Sequence, residues 1–190
     1  INSTPNENIT SLAGVPSWML ILLNKILEER NETKIKDIWK NLEVYFHGGV
    51  NFNPYINQFK SVLGDGVRFY ETYNASEGFF AIQDRNDHND MLLMLDYGIY
   101  FEFEVLDKIN SEIINLSKVE LDTNYALIIS TNAGLWRYKI GDTIKFTSLN
   151  PFRIKITGRT KSFINAFGEE LIIENAENAL NKTLLKHKSR

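Results

Sequence analysis

The chain has 190 residues, enough for a domain with a sizeable core, and its 43% hydrophobic and 12% aromatic content is that of a globular protein. Lys and Arg number 21 against 24 Asp and Glu, and the formal net charge of -3 offers no electrostatic footprint for a nucleic acid polymer or an anionic membrane. The absence of Cys excludes disulfides, thiolate catalysis and Cys-based metal sites; the three His (His47, His88, His187) show no ligand spacing and read as ordinary exposed or hydrogen-bonded side chains.

Residues 1 to 13 are polar and turn-rich, without periodicity. They lack the charged and apolar segments of a signal peptide, and they lack an initiator Met, so the chain is expected to begin inside a longer one. Pro16 sits where a helix start tolerates it. Val15, Trp18, Met19, Leu22, Leu23, Ile26 and Leu27 recur at helical spacing, predicting an amphipathic helix that ends near Arg30. The longest apolar run, Trp18 to Leu23, is far too short for a membrane span, and a cytoplasmic protein is expected. Lys34 to Lys40 reads as a short helix, Leu42 to His47 as a strand stopped by Gly48-Gly49, and Asn53-Pro54 as a turn into a helix reaching about Leu63.

The period then changes to two. Strands are predicted at Val67 to Tyr73, Gly78 to Gln83, Met91 to Leu95 and Ile99 to Leu106, the last with Tyr100, Glu102 and Glu104 alternating against Ile99, Phe101, Phe103 and Val105. More follow at Tyr125 to Thr131, Leu135 to Tyr138, Thr143 to Ser148 and Phe152 to Thr157, and Ile173 to Leu184 reads as a helix. The basic end, Lys186 to Arg190, follows that helix with no partner and reads as a cut. Helices first, strands next and a helix last argue for a mixed α/β or α+β domain, not a simple βαβ array. No Gly-x-Gly-x-x-Gly or P-loop pattern occurs.

Four segments could carry chemistry. In Tyr73-Asn74-Ala75-Ser76-Glu77-Gly78 an aromatic face can stack on a purine, a hydroxyl can donate to a phosphate and a carboxylate can hold magnesium; an ordinary strand-to-strand turn has the same composition. In Gly141-Asp142 a carboxylate after a strand-end Gly can accept from two vicinal hydroxyls, or the pair is a hairpin turn. Gly158-Arg159 offers a forked donor for phosphate or ribose oxygens, or a surface Arg. His47-Gly48-Gly49 lets a backbone approach a flat ligand, or simply turns.

The order of the four resembles the adenylate-forming superfamily. The closer resemblance is to the auxin-responsive Gretchen Hagen family of acyl acid amido synthetases, its bacterial members in particular. It rests on Ala13-Gly14-Val15-Pro16-Ser17-Trp18, Tyr45-Phe46-His47-Gly48-Gly49, Glu71 to Phe80, Tyr100-Phe101-Glu102-Phe103 and Gly134 to Asp142.

The resemblance implies the back half of a large N-terminal domain over 1–160 and, over 161–190, the hinge at Lys161 with the start of a small C-terminal domain. It implies ATP and magnesium as cofactors, with Tyr73 against adenine, Ser76 at the α-phosphate, Glu77 on magnesium, Asp142 on ribose and Arg159 on ribose or phosphate. Gly48 and Gly49 would border adenine and the acyl group. Asn74 falls where many members have Gly, Lys139 where plant members have Arg, and Asn165 where many acyl-CoA synthetases have Lys. Nothing before Gly14 matches the family's phosphate loop. The implied reaction joins a small carboxylic acid to an amine, an amino acid, through an acyl-adenylate. Transfer to coenzyme A and a non-catalytic folded fragment are the alternatives, and this chain alone is expected to be inactive. Trp18, His47 and Phe79 are the expected pocket residues.

Overall fold

The computed structural model describes residues 7–86, 88–106, 112–160, 163–166, 169–172 and 182–183. The chain divides into two compact units, Ile1–Met91 and Leu92–Arg190. Lys161, the expected hinge, lies outside the described residues, as does the expected helix at 173–184 apart from Lys182 and Thr183.

The first unit begins with β1 (Ser11–Gly14) and α1 (Pro16–Arg30), continues through α2 (Ile35–Ile38), β2 (Val44–His47), α3 (Ile56–Leu63) and β3 (Arg68–Ala75), and turns back in β4 (Gly78–Ile82). β1, β2 and β3 are parallel neighbours in that order, so the unit opens with two consecutive β-helix-β crossovers. The expected mixed domain, not a simple βαβ array, is what forms: the parallel crossovers end at β3, β4 returns antiparallel, and the strands of the second unit pair antiparallel. β1 corrects the first segment, expected to be turn-rich. β1 was hidden because four short residues without an aromatic or β-branched member carry no strand signal of their own. It exists because β2 pairs with it, and because the Tyr45 hydroxyl donates to the Gly14 carbonyl at 2.8 Å.

α1 starts at Pro16, whose missing N–H costs nothing there, and stops at Asn31 in the left-handed conformation, with the Glu32 N–H bonded to the Leu27 carbonyl at 3.1 Å. Leu23, Ile26, Ile35, Leu42, Phe59 and Leu63 gather around Tyr45, whose ring stacks on Phe59 at 4.5 Å. The opposite face of α1 stays apolar too, with Trp18, Ile21 and Leu22 exposed.

β5 (Met91–Leu93) crosses the division between units. The second unit holds β6 (Ile99–Val105), β7 (Ile113–Asn115), β8 (Asn124–Thr131), β9 (Tyr138–Leu149) and β10 (Phe152–Arg159), in the antiparallel order β10-β9-β8-β6-β7. A 3-10 turn at Leu116–Lys118 follows β7, and β11 (Phe163–Ala166) pairs with β12 (Glu169–Ile172) in a separate antiparallel hairpin. β8 is central and buried along nearly its whole length, as its Ala-Leu-Ile-Ile run requires. Phe103, Tyr125 and Phe146 meet edge to face beneath it at 5.1 to 5.9 Å. In β6, Phe101, Phe103 and Val105 are buried as the alternation predicts, while Glu104 and Glu102 reach Lys139 at 2.7 Å and Arg137 at 3.0 Å.

Of the expected strand at Leu135 to Tyr138, only Tyr138 is in a strand, the first residue of β9; Leu135 to Arg137 lie outside any strand. Gly134 (φ 102°) before the segment and Arg137 (φ 46°) within it take positive φ, and for a bulky non-Gly residue such as Arg137 that conformation interrupts a strand.

Candidate functional site

The first unit carries a cavity of about 560 Å³ at the carboxyl ends of its three parallel strands. Its wall is Ala13, Gly14 and Val15 at the end of β1, Phe46 to Gly49 at the end of β2, Thr72 and Asn74 of β3, and Phe79 and Ile82 of β4. Strand register makes this possible: Gly14 is level with His47, and His47 with Glu71, so the three chains run out side by side. Ligands of open α/β sheets settle beyond such carboxyl ends.

Gly48 is required by space. A side-chain carbon there would stand 2.4 Å from the Thr72 carbonyl oxygen, so β2 and β3 could not lie this close with any larger residue. Gly49 is required by conformation, with φ 80°. The Thr72 hydroxyl is 3.2 Å from the His47 carbonyl and 3.3 Å from the Asn74 side-chain oxygen. It can donate to one acceptor at a time, and either bond ties the end of β3 to the cavity wall.

Ser76 and Glu77 form the two-residue tip of the β3–β4 hairpin, between the paired Ala75 and Gly78. A register shift at Tyr73/Asn74 bends the hairpin beside the cavity. Ser76 and Asn74 are exposed and Glu77 is half-buried. Tyr73 is only 5% exposed, and its ring packs edge to face on Phe80 at 4.9 Å. It offers no open face for a purine and buttresses the hairpin instead, a correction to its expected stacking role. Trp18 does not line the cavity and is 73% exposed; His47 and Phe79 do line it.

His47 departs from the expectation of an ordinary surface or hydrogen-bonded His. It is 5% exposed, its ring stacks on Phe52 at 3.9 Å, and Nδ1 is buried with no hydrogen-bond partner. Burial holds its pKa down at about 4, so the ring is neutral near pH 7. Its place on a buried parallel strand end, two residues from core Tyr45, is what the sequence could have signalled; His alone signals nothing.

In the second unit, Asp142 and Arg159 are register partners on β9 and β10, and Arg159 Nε donates to Asp142 Oδ1 at 2.8 Å. Asp142 is 9% exposed. Gly141-Asp142 is neither a strand end nor a hairpin turn, as either sequence reading had it. It lies inside β9, where two steps along β8 (Ala126 to Ile128) face four along β9 (Thr143 to Lys139). That bulge re-aims the carboxylate. Beneath it, the Thr157 hydroxyl donates to Asn124 Oδ1 at 2.7 Å, and so must accept from Thr143 at 2.8 Å. Gly48, Gly49 and Asn74 are therefore brought to one cavity with Ser76 and Glu77 on the adjoining hairpin, and Asp142 and Arg159 to one ion pair.

Among the described residues no group of three or more His, Asp or Glu could hold a metal ion. Among the described residues no helix is long and apolar enough to cross a membrane.

Two family models match the chain, the GH3 family N-terminal domain over residues 2–68 and the GH3 family central domain over residues 92–159. A probable indole-3-acetic acid-amido synthetase GH3.9 of Oryza sativa subsp. japonica is 35% identical over 86 residues, covering 42% of this chain and 19% of the relative. The indole-3-acetic acid-amido synthetase GH3.3 of Arabidopsis thaliana is 30% identical over 146 residues, 73% of this chain and 22% of the relative. The solved AtGH3.15 acyl acid amido synthetase in complex with 2,4-DB superposes with a TM-score of 0.65 at 18% identity, covering 80% of this chain and 28% of that one. The fold is thus similar to that of part of this solved amido synthetase, and the chain spans about a fifth of the length of the curated relatives it matches.

Proposed function

We propose that this chain, which carries GH3 family domains and is homologous to plant acyl acid amido synthetases, is part of an ATP-dependent ligase closer to the bacterial members of that family. The intact protein activates a small carboxylic acid: a carboxylate oxygen attacks the α-phosphorus of ATP, the bond to the β-phosphate breaks, and an acyl-adenylate and pyrophosphate form. An amine, that of an amino acid, then attacks the acyl carbon, AMP leaves and an amide remains. The observation that supports this best is the cavity at the carboxyl ends of β1, β2 and β3, edged by Gly48, Gly49 and Asn74.

In this reading Gly48 and Gly49 let adenine and the acyl group lie against bare backbone, and Asn74 meets the nucleotide at the rim. The Ser76 hydroxyl donates to the α-phosphate, and Glu77 supplies a carboxylate oxygen to magnesium, which would neutralise phosphate charge when bound. Asp142 accepts from the ribose hydroxyls and Arg159 donates to ribose or phosphate. Catalysis is by positioning and charge, with no covalent protein nucleophile. Binding of small acid, amino acid and nucleotide in the cytoplasm, by a chain that is one piece of a longer protein and inactive alone, belongs to the same proposal.

Acid-dependent exchange of pyrophosphate into ATP by the intact protein tests it. Exchange with at least one acid in a broad panel, followed by amine-dependent release, is expected. No exchange with any acid rejects the reaction, and thiol-dependent release would make the protein an acyl-coenzyme A ligase instead. Asp142→Ala should raise the KM for ATP about tenfold or more, since a buried hydrogen bond to a charged group is worth ~1.5–3 kcal/mol. An unchanged KM would remove Asp142 from the ribose site.

A further inference from the structure

Asp142 stands in a stretch of β9 that its register with β8 leaves out. Lys139 is the partner of Ile128 and Thr143 that of Ala126, while Ile140, Gly141 and Asp142 fall between them with no partner on β8. A side chain in such a bulge takes its aim from whatever fixes the backbone on the strand's other side. That side is β10, whose register with β9 ends on the pair Arg159 and Asp142.

Two hydrogen bonds lie one residue beyond that pair. The Thr160 N–H donates to the Gly141 carbonyl at 2.8 Å, and the Thr160 hydroxyl donates to the same oxygen at 3.2 Å. A carbonyl oxygen has two lone pairs, so both bonds can form together. The oxygen belongs to the planar peptide that joins Gly141 to Asp142, so holding it also holds the Asp142 N–H and the start of the Asp142 backbone. This peptide has little else to steady it, because Gly141 takes φ 92° and glycine is the most permissive of residues. Space does not demand glycine there: a side-chain carbon would meet the Thr160 hydroxyl at an ordinary 3.9 Å. The N–H bond is open to any residue but proline. The hydroxyl bond is what threonine adds.

We propose that Thr160 is a positioning residue: its hydroxyl, together with its N–H, clamps the Gly141–Asp142 peptide and so aims the Asp142 carboxylate at the ribose. The inference rests on the ribose role of Asp142. Arg159 and Thr160 then act as consecutive residues on one target, the first on the carboxylate itself at 2.8 Å and the second on the backbone that carries it. Loss of the hydroxyl leaves the N–H bond and the strand pairing in place and frees the carboxylate to turn, so the effect falls on nucleotide binding and not on the fold.

The test is acid-dependent pyrophosphate exchange by the intact protein carrying Thr160→Val, which keeps the branched shape and the N–H. The KM for ATP is expected to rise about two- to tenfold, the range of one net hydrogen bond, with kcat, the KM for the acid and the urea midpoint unchanged. Thr160→Ser, which keeps the hydroxyl, should restore the wild-type KM. A lowered urea midpoint with an unchanged KM for ATP would make the bond purely structural and overturn the assignment. The double variant shows whether the effect runs through Asp142: in an Asp142→Ala background Thr160→Val should add nothing, and a further rise of the same size overturns the assignment. An unchanged KM for ATP in Asp142→Ala removes the ribose role, and this inference with it, while the exchange itself leaves the ligase reading standing. No exchange with any acid removes the ligase reading as well. Should Thr160→Val fail to fold, Thr160→Ala replaces it with the same outcomes expected.

Discussion

Between pH 6.5 and 4 the unfolded chain takes up a proton at His47 that the folded chain refuses, because burial lowers the folded pKa to about 4. The state that binds more protons is favoured by acid, so stability is lost as pH falls through this window and is level with respect to His47 above and below it. At ~1.4 kcal/mol per pKa unit the loss reaches at most roughly 3.5 kcal/mol, less whatever solvent screening of the ring recovers. Tyr45 beside it does not titrate in this window, since burial raises its pKa further. Urea midpoints of wild type and His47→Phe at pH 7 and pH 4 check this: the wild type should fall further than the variant, and parallel falls would show that His47 is not the group. This residue was poorly legible in the sequence. The Gly pair after it was readable as a close-approach signal, but the burial of the ring follows from Tyr45, Phe52 and the parallel pairing, none of which a lone His announces. Tyr73 shows the converse: an aromatic in a ligand-like motif turned out to hold up its own hairpin.

At the scale of elements, the β8–β9–β10 join carries its bulge on a buried chain of side-chain hydrogen bonds, Thr143 to Thr157 to Asn124. Thr157→Val keeps the shape and deletes both bonds, so it should cost about 1–3 kcal/mol of stability by chemical denaturation. On the proposed ribose role of Asp142, whose strand pairs beside this chain of bonds, the same variant should also weaken ATP binding by the intact protein, while a surface substitution such as Lys155→Gln should do neither. An unchanged denaturation midpoint in Thr157→Val would show that the bulge stands without this support. Helices and antiparallel strands were largely legible here, since α1, α3, β6 and β8 each declare themselves by period or composition within their own length. β1 and the course of β9 were not. A four-residue parallel strand is held by its neighbour, and a bulge is a relation between two strands, so neither is written in a local pattern. Leu135 to Tyr138 has strand composition, but the positive φ of Gly134 and Arg137 overrides it.

For the whole molecule, the chain spans a fifth of its curated relatives, and its binding should be correspondingly incomplete. Calorimetry of the 190-residue chain with AMP is expected to give weak or no binding. A sub-micromolar Kd would mean that this chain contains a complete nucleotide site and would overturn the proposal that it is inactive alone. Fold class and the likeness to GH3 family domains were legible because several weak motifs stood in one order; the division at Met91–Leu92 was not, since compactness is a property of the folded chain.

The apolar outer face of α1 has a consequence for the chain in bulk solution. Val15, Trp18, Ile21 and Leu22 form an exposed hydrophobic stripe, while a net charge of -3 supplies little mutual repulsion. Pair attraction between dissolved molecules should therefore be governed by this helix, and static light scattering of the isolated chain should give a negative second virial coefficient. Ile21→Glu, which adds charge in the middle of the stripe, should move that coefficient toward positive values without altering the fold, making α1 the lever for the colloidal behaviour of the chain.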